Sequence, residues 1–185
     1  MVCIGRAAGL AGTLRRMPVK TTSVPRRHLF FKCLGCLRGE LDRIEAAHRA
    51  GTLATTGNWT PGENLDHCAI PFEEGLDGTS KKASFMARLF GRMLKSMILK
   101  PKRDAMRPGF NVGKSNPQLM PRPGVTYEQG MARMRRALAR IEAGERMTKP
   151  SPWLGPMTHE EWVRLNLNHT AMHFGFLTYP GAPQE

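Results

Sequence analysis

The apolar residues of this chain recur every three to four positions, which is the period of an α-helix. Leu34, Leu37, Leu41 and Ile44 form a first stripe and predict a helix over about 31–50. Similar stripes predict four more helices, over about 60–76, 84–99, 126–146 and 158–178. No alternating strand pattern competes with them. We therefore expect an all-α fold with four principal helices and one accessory helix, the one near 84–99.

Two of these helices begin with unusually clear start signals. The run Thr60-Pro61-Gly62-Glu63 combines a capping box with a proline at the first helical position. A second capping box starts at Thr158 and ends at Glu161, and Thr126 is the expected cap of the helix between them. Pro71 interrupts the second helix and predicts a kink there, because a proline removes one helical hydrogen bond.

Three stretches lack helical periodicity. Residues 1–24 are predicted to be a disordered or wrongly annotated extension, and residues 179–185 a C-terminal tail. Between them, residues 25–178 are expected to form one helical-bundle domain. Within that domain, residues 100–125 contain five prolines, so we expect this stretch to be mobile and to lie outside the core.

The chain is strongly basic, and its basic residues are unevenly distributed along the sequence. The net charge is +13, and residues 1–38 contain eight basic residues and no acid. Residues 81–122 contain eleven basic residues and one acid. Such segments are typical of proteins that bind phosphate polymers, but they lack the interleaved aromatic residues on which single-stranded nucleic acids stack. Nucleic acid is therefore a disfavoured partner.

No window of the chain has the run of about 18 apolar residues that a membrane-spanning helix requires. No membrane association is expected, and the predicted compartment is the cytoplasm. Export is the alternative, because the run from Arg26 to Lys32 has some likeness to a twin-arginine signal. The charged helix that follows this run argues against it.

The four cysteines do not form a disulfide framework. Cys33 and Cys36 make a C-x-x-C pair beside the apolar stripe of the first helix, so both thiols are expected on or near its core face. A redox or metal-binding role is the alternative.

Three histidines are the candidate functional residues. His169 and His173 are four residues apart, so they share one face of the last helix, and they lie within its apolar stripe. His67 lies on the second predicted helix. Three imidazoles can hold a metal ion and leave one position open, as in catalytic zinc sites. The alternative is that each is a core histidine with an ordinary hydrogen-bond partner. Glu63 lies one turn before His67 and could orient its ring, unless the capping box engages it.

The order of these motifs resembles the DinB-like (YfiT-like) superfamily of metalloenzymes, and most closely a branch that is a domain of unknown function. The similarity rests on four runs, which are Arg-Arg-His-Leu-Phe-Phe from Arg26, Leu37 to Glu45, Gly57 to His67, and Glu160 to His173. It implies a four-helix bundle of mirror up-and-down topology. It also implies that His67, His169 and His173 bind a divalent ion, zinc or nickel in most relatives. The implied partners are a small-molecule substrate or a low-molecular-weight thiol, and a homodimer is a further candidate.

Two functions follow. The first is a metal-dependent transferase or hydrolase acting on a small molecule, in which the ion lowers the pKa of a bound water or thiol. The second is a non-catalytic metal-binding or stress-response scaffold that contacts nucleic acid through its basic segments. A solvent-open pocket beside the histidines, lined by tryptophan or methionine, would favour the enzyme. A closed site with a continuous basic face would favour the scaffold.

Overall fold

The structure is a computed structural model that describes residues 18–80, 84–109 and 119–183. It is predominantly helical, as expected, with a small two-stranded sheet. The helices and strands follow one another in the order α1 (Leu34–Arg49), β1 (Ala54–Thr55), α2 (Pro61–Asp77), α3 (Phe85–Ile98), α4 (Tyr127–Glu142), α5 (His159–Phe174) and β2 (Leu177–Thr178). Part of the predicted N-terminal extension, residues 1–17, lies outside the described residues.

The predicted starts of α2, α4 and α5 are confirmed, whereas α1 begins at Leu34 rather than near residue 31. At α2, the Thr60 hydroxyl accepts a hydrogen bond from the Glu63 N–H, and the Glu63 carboxylate accepts one from the Thr60 N–H. The same reciprocal bonds form at α4 and at α5, which begin immediately after Thr126 and Thr158. Each pair satisfies two backbone donors that would otherwise lack a partner at a helix end.

The predicted end of the last helix is wrong, because α5 ends at Phe174 rather than continuing to about residue 178. Beyond it, Leu177–Thr178 pairs antiparallel with Ala54–Thr55. The buried guanidinium of Arg27 accounts for this early end. It donates to the carbonyl oxygens of Phe174 and Leu177 and pairs with the buried carboxylate of Glu40 at 2.7 Å. These bonds replace the helical ones that a longer α5 would have made.

Helix α2 lies at the centre of the fold and packs against both α4 and α5. Its contact with α4 depends on two glycines. A Cβ on Gly130 would lie 2.3 Å from the Gly62 carbonyl oxygen, and a Cβ on Gly62 would lie 2.5 Å from the Thr126 carbonyl oxygen. Only glycine permits the backbones to approach so closely.

The prediction for residues 100–125 is wrong for their C-terminal part. Pro121 and Val125 are buried, and the Arg122 backbone and guanidinium both donate to the buried carboxylate of Asp66. Residues 119–125 therefore belong to the packed domain. Residues 110–118 lie outside the described part of the chain.

The amphipathic helix α3 presents an apolar side to solvent. Phe85, Met86 and Met93 are each more than 60% exposed, while Gly91 packs against the Trp153 carbonyl group and the Leu154 side chain. Even so, within the described ranges no helix is both long and apolar enough to cross a membrane.

We predict that Gly130→Ala destabilises the protein by about 1–3 kcal/mol, because the added methyl group forces α2 and α4 apart. The matched control is Gly39→Ala in α1, where the nearest atom to a new Cβ is the Arg43 side chain at 4.0 Å. That change should stabilise the protein by about 0.5–1 kcal/mol, as alanine does inside a helix. Urea unfolding of both variants measures the effect. Equal unfolding midpoints for the two variants would contradict the proposed close contact.

Candidate metal centre and adjoining cavity

The structure brings the three predicted histidines together. The Nε2 atom of His67 lies 3.1 Å from Nε2 of His169 and 3.1 Å from Nε2 of His173. One ring nitrogen from each residue lies within 4.8 Å of those of the other two. Helix α2 supplies the first imidazole, and successive turns of one face of α5 supply the others.

This spacing fits a shared ion. Imidazole nitrogens bind zinc at about 2.0–2.1 Å, so two of them on a tetrahedral ion are about 3.3–3.4 Å apart. The nitrogens of His67 and its two partners are 3.1 Å apart, which requires a shift of only a few tenths of an ångström. Within the described residues, no other group of three or more metal-ligating side chains converges on one point.

The His67 ring is held in the tautomer that metal binding needs. Its Nδ1 atom lies 2.6 Å from the carbonyl oxygen of Leu119. Because a carbonyl only accepts hydrogen bonds, Nδ1 carries the proton and Nε2 presents its lone pair to the other imidazoles. The Nδ1 atom of His169 is buried and has no hydrogen-bond partner among the described residues.

All three imidazoles are held in the neutral form. Burial lowers the pKa of His67 to about 4, against an ordinary value of 6.5. Burial, together with the neighbouring imidazoles, also lowers the pKa values of His169 and His173 well below 6.5. A neutral imidazole is the form that binds a metal ion, so protons compete weakly with metal near neutral pH.

Polar contacts around the histidines fix the position of α2. The Asn64 side-chain amide donates to the backbone carbonyl of His173 at 3.2 Å, which ties α2 to α5 one turn from His67. On the other side, Asp66 is fully buried and accepts bonds from Arg122 and Arg133. Burial opposes ionisation of Asp66, but the two guanidinium groups outweigh it and lower its pKa. The bond to Arg122 also holds the segment that carries the Leu119 carbonyl.

A cavity of about 730 Å³ adjoins the three imidazoles. The Trp59 ring stacks on His173, with ring centroids 5.2 Å apart, and tilts against His67 at 4.6 Å. Most of the wall is apolar, including Trp59, Ile70, Pro71, Phe90, Leu94, Trp153, Leu154, Leu165, Met172 and Phe176. Its size and composition are those of sites that bind small organic molecules.

One carboxyl group in this wall belongs to a residue that sequence reasoning missed. Glu74 lies two helical turns after His67 on the same side of α2 and lines the same cavity. Burial raises its pKa to about 7, so the group exchanges a proton near neutral pH. Its spacing of seven residues from His67 is a signal that could have identified it.

Glu63 forms the capping-box bond to Thr60. The orienting contact of the His67 ring comes instead from the Leu119 carbonyl. An orienting role for Glu63 stays a prediction. The apolar periodicity of the sequence did not identify Trp59 or Leu119 as site residues, because both lie outside the helices.

We predict that the purified protein binds one equivalent of zinc or nickel, and that His169→Ala or His173→Ala abolishes stoichiometric binding. Each change removes one of three nitrogens that must act together. Metal content and calorimetric titration of untagged protein measure this. The matched control is His48→Ala, since the imidazole of His48 is partly exposed and contacts Glu128 and Tyr127. Tight binding of one equivalent by a variant lacking all three imidazoles would disprove the site.

We also predict that the metal-free protein loses stability as the pH falls from about 6.5 toward about 4. Unfolded histidines have a pKa near 6.5, whereas the folded His67 has a pKa of about 4. Between these values the unfolded chain binds more protons, so acid favours unfolding. Urea unfolding at several pH values should show a smaller acid loss for His67→Gln than for the wild-type chain. Parallel curves would contradict the shifted pKa.

The family profile that matches this chain describes a protein of unknown function, DUF1569. No curated protein and no solved structure shows significant similarity to the chain. The profile covers residues 25–180, which include all three histidines, Trp59 and Glu74. The chain therefore belongs to the DUF1569 family.

Proposed function

We propose that this protein is a metal-dependent transferase or hydrolase whose substrate is a small, largely apolar molecule. The observation that carries the proposal is the cavity of about 730 Å³ that opens beside three convergent imidazoles. A structural metal site needs four protein ligands and no adjoining space, whereas a catalytic site keeps a position open beside a pocket. Three tryptophan side chains, those of Trp59, Trp153 and Trp162, line this pocket.

In this proposal His67, His169 and His173 hold a divalent ion, zinc or nickel. When bound, such an ion supplies a Lewis acid that lowers the pKa of water or of a thiol. The side chains of the protein supply the surroundings of the ion. Trp59 covers one side of the imidazoles, and the apolar wall excludes water, which strengthens electrostatic interactions inside the cavity.

Glu74 is the proposed proton donor or acceptor. Seven residues of helix separate it from His67, a rise of about 10 Å, so it faces a different part of the substrate from the part near the ion. A carboxyl group with a pKa of about 7 is protonated in half of the molecules at neutral pH. It can therefore either give or take a proton during the reaction.

The fold proposed for the helices is the DinB-like four-helix bundle of mirror up-and-down topology, formed by α1, α2, α4 and α5 with α3 as the accessory helix. The central position of α2 between α4 and α5 and the contact of α1 with α5 support this assignment. The scaffold alternative is less well supported, because the site opens into an apolar cavity rather than lying behind a basic face.

The test uses the full chain, stripped of metal and reloaded with zinc or nickel. We expect metal-dependent conjugation of a low-molecular-weight thiol to an apolar electrophile, or metal-dependent hydrolysis of an apolar activated ester. His169→Ala should remove the activity, because it removes a ligand of the ion.

For Glu74→Gln we expect loss of the limb of the pH–rate profile that has its midpoint near pH 7. The matched control Glu142→Gln changes an exposed carboxylate that pairs with Arg38, and it should leave the profile unchanged. Turnover that is independent of metal and equal in the His169→Ala variant would reject the proposed function. An unchanged profile in Glu74→Gln would reject only the role of Glu74.

A further inference from the structure

Two cysteine thiols lie side by side at the first turn of α1, on the outside of the protein. Cys33 is the N-cap residue, and its sulfur accepts a hydrogen bond from the Cys36 N–H at 3.3 Å. The sulfur atoms of Cys33 and Cys36 are 2.8 Å apart, and both residues are exposed. The expectation that these thiols lie on or near the core face of the helix is wrong. The helix begins at Leu34, so Cys33 precedes it and takes no part in its apolar stripe.

Their arrangement suits reversible disulfide formation. A disulfide bond requires sulfur atoms at about 2.03–2.05 Å, so closing this pair needs a movement of less than about 1 Å. Both sulfurs are accessible to a reactant in solution. By contrast, Cys68 is fully buried, and burial raises the pKa of its thiol, so it is inert toward such reactants.

The surroundings favour the thiolate form of Cys33. Hydrogen bonds from the Cys36 side chain and backbone lower the pKa of Cys33, and the Gly35 N–H and the charge of Arg38 act in the same direction. These groups belong to the positive end of a 16-residue helix, where negative charge is stabilised. Because Arg38 also pairs with the carboxylate of Glu142, the hydrogen bonds from Cys36 contribute the larger part of the effect.

We propose that Cys33 and Cys36 form a redox-active dithiol that reduces low-molecular-weight disulfides, a second site separate from the three histidines. The Cys33 thiolate attacks one sulfur of the small disulfide, a mixed disulfide forms, and one thiolate leaves and takes up a proton. Cys36 then loses its proton and attacks the Cys33 sulfur, which closes the intramolecular disulfide and releases the second thiol. Two electrons pass from the protein dithiol to the small disulfide, which becomes two thiols.

The test treats the reduced full-length protein with oxidised glutathione. The protein carries Cys3→Ser, so that Cys33 and Cys36 are its only cysteines besides the buried Cys68. We expect a product lighter by two hydrogen atoms, with Cys33 and Cys36 joined in the peptide map, and full recovery with dithiothreitol. In a glutathione redox buffer the change should follow a single two-electron transition.

Serine variants separate the two roles. Cys36→Ser should accumulate one equivalent of glutathione on Cys33, because the second attack is lost. Cys33→Ser should form no intramolecular disulfide and should react more slowly, and serine keeps the helix cap, so folding is preserved. Circular dichroism of each variant checks this.

Wild-type protein that collects glutathione on either cysteine without closing the ring would overturn the proposal, as would faster reaction of Cys33→Ser than of Cys36→Ser. Metal binding by the His67 centre should be the same in all these variants, so this result and that of the metal experiment are independent.

Discussion

The buried guanidinium of Arg27 organises the part of the fold on which the histidine site depends. It is only 1% exposed and forms bonds to Glu40 on α1, to the carbonyl oxygen of Phe174 at the end of α5 and to that of Leu177 beyond it. A charge buried in this way costs several kcal/mol unless every donor is matched, so the last turn of α5 has little freedom to move. His173 lies in that turn. The backbone that carries the His173 ring is therefore held by a residue that comes almost 150 positions earlier in the chain.

Two contacts fix the helix that carries His67. The glycine contact between α2 and α4 sets the distance between these two helices, and the hydrogen bond from Asn64 fixes the position of α2 against α5. With both helices held, one ring nitrogen of each imidazole converges on a common point. Desolvation lowers the pKa values of all three imidazoles, which keeps three like-charged rings from forming at one point.

The helices and the histidine pair could be predicted from the sequence because they depend on local periodicity. Capping boxes and the four-residue spacing of His169 and His173 act over one or two turns. The features that were missed depend on contacts between distant residues. The early end of α5 comes from Arg27, the Leu119 carbonyl reaches His67 across 52 positions, and the exposure of Cys33 depends on where α1 begins. Asp66 shows the same effect, since its bonds to Arg122 make the end of a proline-rich stretch part of the packed domain.

The hydrogen bond between His67 and the Leu119 carbonyl joins the metal centre to the wall of the cavity. Both Leu119 and Met120 line that cavity, and the same short segment is anchored through Arg122. An ion that withdraws electrons from the His67 ring makes its Nδ1 proton more acidic, and a stronger donor holds the carbonyl more tightly. In the proposed function, a molecule that displaced this wall would therefore weaken the binding of an ion by the three histidines, and one that stabilised the wall would strengthen it. Occupancy of the cavity and binding of the ion would then be thermodynamically coupled through a single hydrogen bond.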